Sequence, residues 1–218
     1  MTKFFLLLFS GCFLLICFSQ NNRYTDPLLV FKEFRNAEKI FQEAEKLFLQ
    51  AKDNEHLLAK ADEKYTGALL SFRKVITDAE KTGNDSLLFF SRCRAGLIAY
   101  YLNDPETAKN EYISAIGIKQ RLPAVADSLL FIPYLYTGSI YYSQTLIDSS
   151  LLYYKKAEAI NDQFKVPLNG SERLYNRLGV IYYENGNYRK AGNYFEKAIT
   201  LTSQADTGLL INYKMNIG

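Results

Sequence analysis

A chain of 218 residues with 48% hydrophobic content is long and apolar enough to fold around a core and lies far from the composition of disordered chains. Its formal net charge of +3, with 26 basic against 23 acidic residues, supplies no broad field to draw it to nucleic acid or acidic lipid. One histidine and three cysteines leave few residues for metal or nucleophile chemistry.

The stretch from Met1 to Ser19 reads as an export signal. Met1-Thr2-Lys3 is a short positive region, Phe4 to Phe18 are apolar apart from Ser10, Gly11 and two cysteines, and Cys17-Phe18-Ser19 sets up a cut after Ser19. An uncleaved anchor is the rival reading, but the run of about 15 residues falls short of the roughly 20 that span a bilayer. Phe9-Ser10-Gly11-Cys12 offers part of a lipoprotein signal, although the apolar stretch continues past Cys12. The expected location is therefore periplasmic or cell-surface. Loss of the signal removes Cys12 and Cys17 and leaves Cys93, which alone cannot form an internal disulfide.

After the signal, residues 20–52 are expected to form a leading, capping helix region. Asp26-Pro27 opens a stripe of Leu29, Phe34, Ala37, Ile40, Phe41, Ala44, Leu47 and Phe48 at helical spacing. Residues 53–84 then hold Tyr65, Ala68, Phe72 and Val75, the second-helix half of a unit whose first half is degenerate at His56.

From Asp85 onward the chain repeats itself with a period of about 41 residues. Gly96, with Ala95 before it and Ala108, Tyr112 and Ala115 after it, is matched one period on by Gly138 with Tyr141, Ser150, Tyr154 and Ala157. The next period brings Gly179, within Tyr175-Asn176-Arg177-Leu178-Gly179-Val180-Ile181-Tyr182-Tyr183, followed by Gly186-Asn187-Tyr188, Ala191, Phe195 and Ala198. Units are expected at about 85–126, 127–170 and 171–205. The small residues let paired helices approach closely while aromatics fill the space beside them. The length beyond a compact unit falls in Lys119 to Ala126 and Gln163 to Gly170, which carry Pro123, Pro167 and Gly170. Asp85-Ser86, Asp127-Ser128, Ser171 and Asp206-Thr207 are expected to cap first helices. Lys214, Ile217 and Gly218 would begin another unit over 206–218, so the chain reads as a fragment.

The segment from Tyr175 to Ala198, with its aromatic, Leu-Gly, Tyr, Gly-x-Tyr, Ala, Phe and Ala, resembles the tetratricopeptide repeat at that family's spacing. The resemblance implies an all-α fold, a right-handed superhelical solenoid of helix-turn-helix repeats that binds protein or peptide. Of the 17 tyrosines, the doublets Tyr100-Tyr101, Tyr141-Tyr142 and Tyr182-Tyr183 recur at one phase. By the same resemblance the second tyrosine of the later doublets, with Tyr100 of the first, faces the concave surface. Leu97, Tyr100, Leu135, Ser139, Tyr142, Arg173, Asn176, Val180 and Tyr183 would then line a groove; packing of these tyrosines against the neighbouring repeat is the equal alternative. Only Arg173 and Asn176 are available to clamp a terminal carboxylate, so an extended or helical apolar segment is the expected ligand.

No catalytic set is visible. His56 lies in a charged Asp-Asn-Glu-His run, Cys93 has no base at hand, and neither Gly186-Asn187 nor Asn169-Gly170 leads into Lys-Ser or Lys-Thr. No cofactor, metal or nucleic acid is expected, and no later segment is apolar for long enough to cross a membrane. The first functional expectation is an exported, non-catalytic scaffold. The second is the sensing or regulatory front of a larger enzyme, since the architecture resembles the N-terminal regions of CHAT-type proteases and of repeat-bearing sensor histidine kinases. A short outer-surface module for assembly or uptake is the third.

Overall fold

The computed structural model describes residues 26–52, 54–202 and 215–216. The expected signal peptide, Asp206-Thr207 and most of the expected unit at 206–218 lie outside these residues. Within the described residues eight α-helices follow in chain order: α1 Pro27–Ala51, α2 Glu55–Thr82, α3 Asp85–Tyr101, α4 Pro105–Lys119, α5 Phe131–Ser143, α6 Ile147–Asn161, α7 Ser171–Glu184 and α8 Tyr188–Leu201. A 3-10 turn, Asp127–Leu130, leads into α5, and there is no strand among the described residues. The chain divides between Leu122 and Pro123 into two compact units.

In the first unit α1 pairs with α2, α3 pairs with α4, and α2 packs on α3. Asp26 accepts the Leu28 N–H at 2.9 Å and Pro27 follows at the first helical position, so α1 starts where the sequence places it. Its buried face is Val30, Phe34, Ala37, Phe41 and Ala44, one stripe at spacings of three and four residues. Against it α2 sets Ala61, Tyr65, Ala68, Phe72, Val75 and Ala79. The expected degenerate unit over 53–84 is thus a single helix whose partner is the leading helix. Asn54 caps it by accepting the Leu57 N–H, and it runs unbroken to the left-handed Gly83, so the His56 region has no turn in which to form a separate first helix.

In the second unit α5 pairs with α6, α7 pairs with α8, and α6 packs on α7. The residues beyond a compact unit sit where expected, between α4 and the 3-10 turn and between α6 and α7. The buried Asn161 holds the second connection: its Nδ2 donates to the Tyr175 hydroxyl at 2.9 Å, and its Oδ1 accepts the Leu168 N–H at 2.8 Å. Ser171 Oγ stands 2.6 Å from both Asn161 Oδ1 and the Leu168 carbonyl and has one proton to share between them.

Three expected caps move. The cap of α3 is Asn84, which accepts the Leu87 N–H at 3.0 Å, because Gly83 closes α2 and leaves the next residue non-helical; Asp85 is the first helical residue and pairs with Arg121 instead. Asp127 begins a 3-10 turn without a side-chain cap, since Pro133 is compatible only with the first turn of a helix and delays α5 to Phe131. Ser171 is preceded by Gly170 at φ +94° and spends its hydroxyl on the Asn161 network.

Candidate functional site

Each repeated hairpin is set by a glycine under a ring. A Cβ on Gly96 would stand 2.9 Å from Tyr112, on Gly138 2.7 Å from Tyr154, and on Gly179 2.5 Å from Phe195, so all three positions admit only glycine at this helix separation. The close crossing fixes the azimuth of each first helix and therefore which side chains it leaves on the open side.

On α7, Arg173, Asn176, Val180 and Tyr183 follow at helical spacings of three and four and share one face. Arg173 and Tyr183 are exposed, the latter at 55%, and Asn176 and Val180 are half-buried. Arg173 Nη1 donates to the Tyr136 hydroxyl at 3.4 Å, and Asn176 Oδ1 accepts from Asn216 Nδ2 at 2.9 Å. On α5, Ser139 and Tyr142 are half-buried one turn apart, whereas Leu135 is 2% exposed and its Cδ2 lies against Gly170. Burial takes Leu135 out of an accessible surface, because the left-handed Gly170 brings the α6–α7 connection over it. Leu97 and Tyr100 are half-buried on α3 of the first unit. The geometry of the second unit thus brings together Ser139, Tyr142, Arg173, Asn176, Val180 and Tyr183 on its two first helices.

The tyrosines divide by position in the doublet. Tyr141 and Tyr182 stack on tyrosines of their own second helices, Tyr141 on Tyr153 at 5.4 Å and Tyr182 on Tyr194 at 5.5 Å. Tyr142 reaches the next hairpin: its hydroxyl donates to Glu184 Oε1 at 2.7 Å and the Arg177 guanidinium lies 5.9 Å from its ring centre. Burial, joined by the Glu184 carboxylate, pushes the Tyr142 hydroxyl up to about 12. Among the described residues Tyr183 has one ring contact, Tyr188 edge-on at 5.2 Å, and it presents most of its surface. Tyr142 therefore serves inter-repeat packing with one edge open, while Tyr183 is exposed.

Sequence reasoning missed Arg177 and Glu184, which hold Tyr142 from α7; the signal was present as a cation and a carboxylate two helical turns apart on the flank of the Val180 stripe. It also missed the tyrosine–lysine set of the second unit. Tyr134, Tyr141, Tyr153 and Lys156 recur one period later as Tyr175, Tyr182, Tyr194 and Lys197, with each lysine over two of its rings at 5.0 to 5.6 Å. Lys155 joins the two copies, donating to Glu158 and to the Tyr194 hydroxyl at 2.6 Å each. Burial opposes its charge, but those hydrogen bonds outweigh it and hold the ammonium above the ordinary lysine range.

His56 is exposed on α2, and burial pushes the Cys93 thiol up to about 12. Among the described residues no three His, Cys, Asp or Glu side chains gather at metal-binding distance, and no helix is long and apolar enough to cross a membrane. The open face of the second unit offers aromatic area, two guanidinium groups and an amide, which suit non-covalent contact with a polypeptide.

The tetratricopeptide repeat family model matches residues 172–202, from α7 to the end of α8. No curated protein sequence matches the chain. The crystal structure of BtubC (BKLC) from P. vanneervenii superposes with a TM-score of 0.58 at 16% identity, over 86% of this chain and 81% of that one. A putative kinesin light chain from Podosopora anserina, described as having nearly identical TPR-like repeats, gives 0.58 at 10% identity over 89% and 86%. At these identities the likeness is one of fold. The chain thus carries one tetratricopeptide repeat, α7–α8, whose glycine–aromatic crossing recurs in two other hairpins, within an all-helical repeat fold like that of TPR-like proteins.

Proposed function

We propose that this protein is an exported scaffold that holds a peptide or protein segment on the open face of its second unit and carries out no chemistry of its own. The observation that supports it is the α7 stripe, in which Arg173, Val180 and Tyr183 share a face and Tyr183 is exposed at 55%. An exposed tyrosine beside an aliphatic side chain and a guanidinium is the composition of an interface hot spot. The favoured ligand is an extended or helical apolar segment with a few polar groups to meet Arg173 and Asn176.

Selection of a displayed peptide library on the purified chain tests the reading. Enriched peptides should lose about tenfold or more in affinity to Tyr183→Ala or Val180→Asp variants that keep the wild-type circular dichroism spectrum. Failure to enrich, or binding indifferent to both substitutions, overturns it.

Export rests on Met1 to Ser19 alone. Fusion of the whole chain to a phosphatase active only outside the cytoplasm should give active enzyme, and N-terminal sequencing should begin at Gln20; a silent fusion with an intact Met1 sinks it. The same scaffold could be the sensing front of a larger CHAT-type or sensor-kinase protein, for which only the resemblance in architecture speaks.

A further inference from the structure

The chain holds two Asn-Gly pairs, Asn169-Gly170 and Asn185-Gly186, and the fold treats them in opposite ways. Asn-Gly is the dipeptide most open to self-modification, because glycine leaves its own backbone nitrogen unshielded beside the asparagine side chain. The Gly nitrogen attacks the Asn Cγ, the new C–N bond closes a five-membered succinimide, and the Cγ–Nδ2 bond breaks. The side-chain nitrogen takes up the amide proton and leaves as ammonia. Water then opens the ring at either carbonyl, giving an aspartyl or an isoaspartyl residue; no oxidant or other co-reactant enters.

The attack needs a backbone N–H that can give up its proton and swing toward the side chain. At Asn185-Gly186 three successive N–H groups are tied down: Asn185 to the Ile181 carbonyl at 3.1 Å, Gly186 to Tyr183 at 2.9 Å and Asn187 to Tyr182 at 2.9 Å. This is a helix C-cap, and breaking it opens the end of α7. At Asn169-Gly170, Leu168 N–H goes to Asn161 and Ser171 N–H goes to the Leu168 carbonyl at 3.1 Å, but the Gly170 N–H has no acceptor among the described residues. Asn169 is exposed, so its amide is free to turn and water reaches the ring.

We infer that Asn169 is a self-modification site, deamidating through Gly170 in the folded protein while Asn185 is protected. The isoaspartyl product adds a methylene to the main chain between Leu168 and Ser171, the two residues that Asn161 holds in register. It therefore loosens the start of α7 just before Arg173. The aspartyl product instead adds a negative charge beside the N-terminal end of α7, where a carboxylate is favourable.

The test ages the purified chain at neutral and mildly alkaline pH and follows deamidation of each peptide by mass spectrometry, with isoaspartyl content read by methyltransferase labelling. Position 169 should convert several-fold faster than position 185 in buffer, and the two rates should converge in urea. An Asn169→Gln variant should abolish the fast phase. Equal rates in the folded protein, or a faster position 185, overturns the inference.

Discussion

The Phe195 ring lies so close over Gly179 that a Cβ there would stand 2.5 Å from its Cδ1 and Cε1. Phe195 is almost fully buried, so the ring cannot swing aside without opening the α7–α8 contact. Gly179→Ala should lower stability by about 1–3 kcal/mol, the usual loss on overpacking, even after the helix-propensity gain of alanine. Gly192, on α8, has nothing within 4 Å of its would-be Cβ. Gly192→Ala should stabilise by up to about 1 kcal/mol. Urea midpoints of the two variants should therefore move in opposite directions, and a shared direction would show that helix propensity, not the crossing, decides.

Asn161 supports the whole α6–α7 connection from one buried amide. Asn161→Ala leaves the Leu168 N–H without its acceptor and removes the Tyr175 hydroxyl's closest partner, which predicts a loss of about 2–4 kcal/mol. The connection should also open locally. Trypsin should nick after the exposed Lys165 many times faster in the variant than in the wild type, with the cut site read by mass spectrometry.

How much of this can be read from the chain follows from which forces are local. Gly96, Gly138 and Gly179 show their role by spacing alone, because a close helix crossing needs both a small residue and a large one at fixed offsets. Asp26-Pro27 likewise shows the start of α1. Asn84 is hidden behind Asp85, since either residue type caps a helix and the choice depends on where Gly83 ends α2. Leu135 looks like an open-face residue by register, and only the path of the α6–α7 connection through Gly170 buries it. The division of labour within the two later tyrosine doublets is equally out of reach, because it depends on partners on the paired helix and on the next hairpin.

Alkaline pH should unfold the protein earlier than its composition implies. Burial pushes the hydroxyls of Tyr142 and Tyr194 up to about 12 from an ordinary 10.0, and the Cys93 thiol up to about 12 from 9.0. Below the ordinary values all three are neutral in both states and the effect is absent. Above them the unfolded chain ionises first, so stability falls from about pH 9 and continues to fall until the folded-state values near 12 are reached. Tyr142→Phe should flatten the fall between about pH 10 and 12 while leaving the slope near pH 9 to Cys93. Site-resolved alkylation gives a second reading: Cys93 should react about two to three orders of magnitude more slowly in the native protein at about pH 8 than in urea.

The hairpins solve one packing problem in two chemistries. Tyr134 meets Tyr153 at 6.1 Å and Tyr175 meets Tyr194 at 6.2 Å; in the first unit the same repeat positions are Arg92 and Glu111, joined by an ion pair of 2.7 Å. Both charged side chains are mostly buried, Arg92 also pairs with Glu80 at 2.5 Å, and among the described residues its Nε has no acceptor. A buried pair gains little over apolar groups of similar size, but removing one partner strands the other. Arg92→Tyr alone should therefore cost about 2–4 kcal/mol by leaving Glu111 without its cation, and Glu111→Tyr alone less than that, because Arg92 keeps its second pair with Glu80. The double substitution rebuilds the contact found in the second unit and should recover most of that loss. Equilibrium unfolding of the four proteins gives the coupling directly. A double variant as unstable as the sum of the singles would show that the first unit has lost the shape to accept the tyrosine pair.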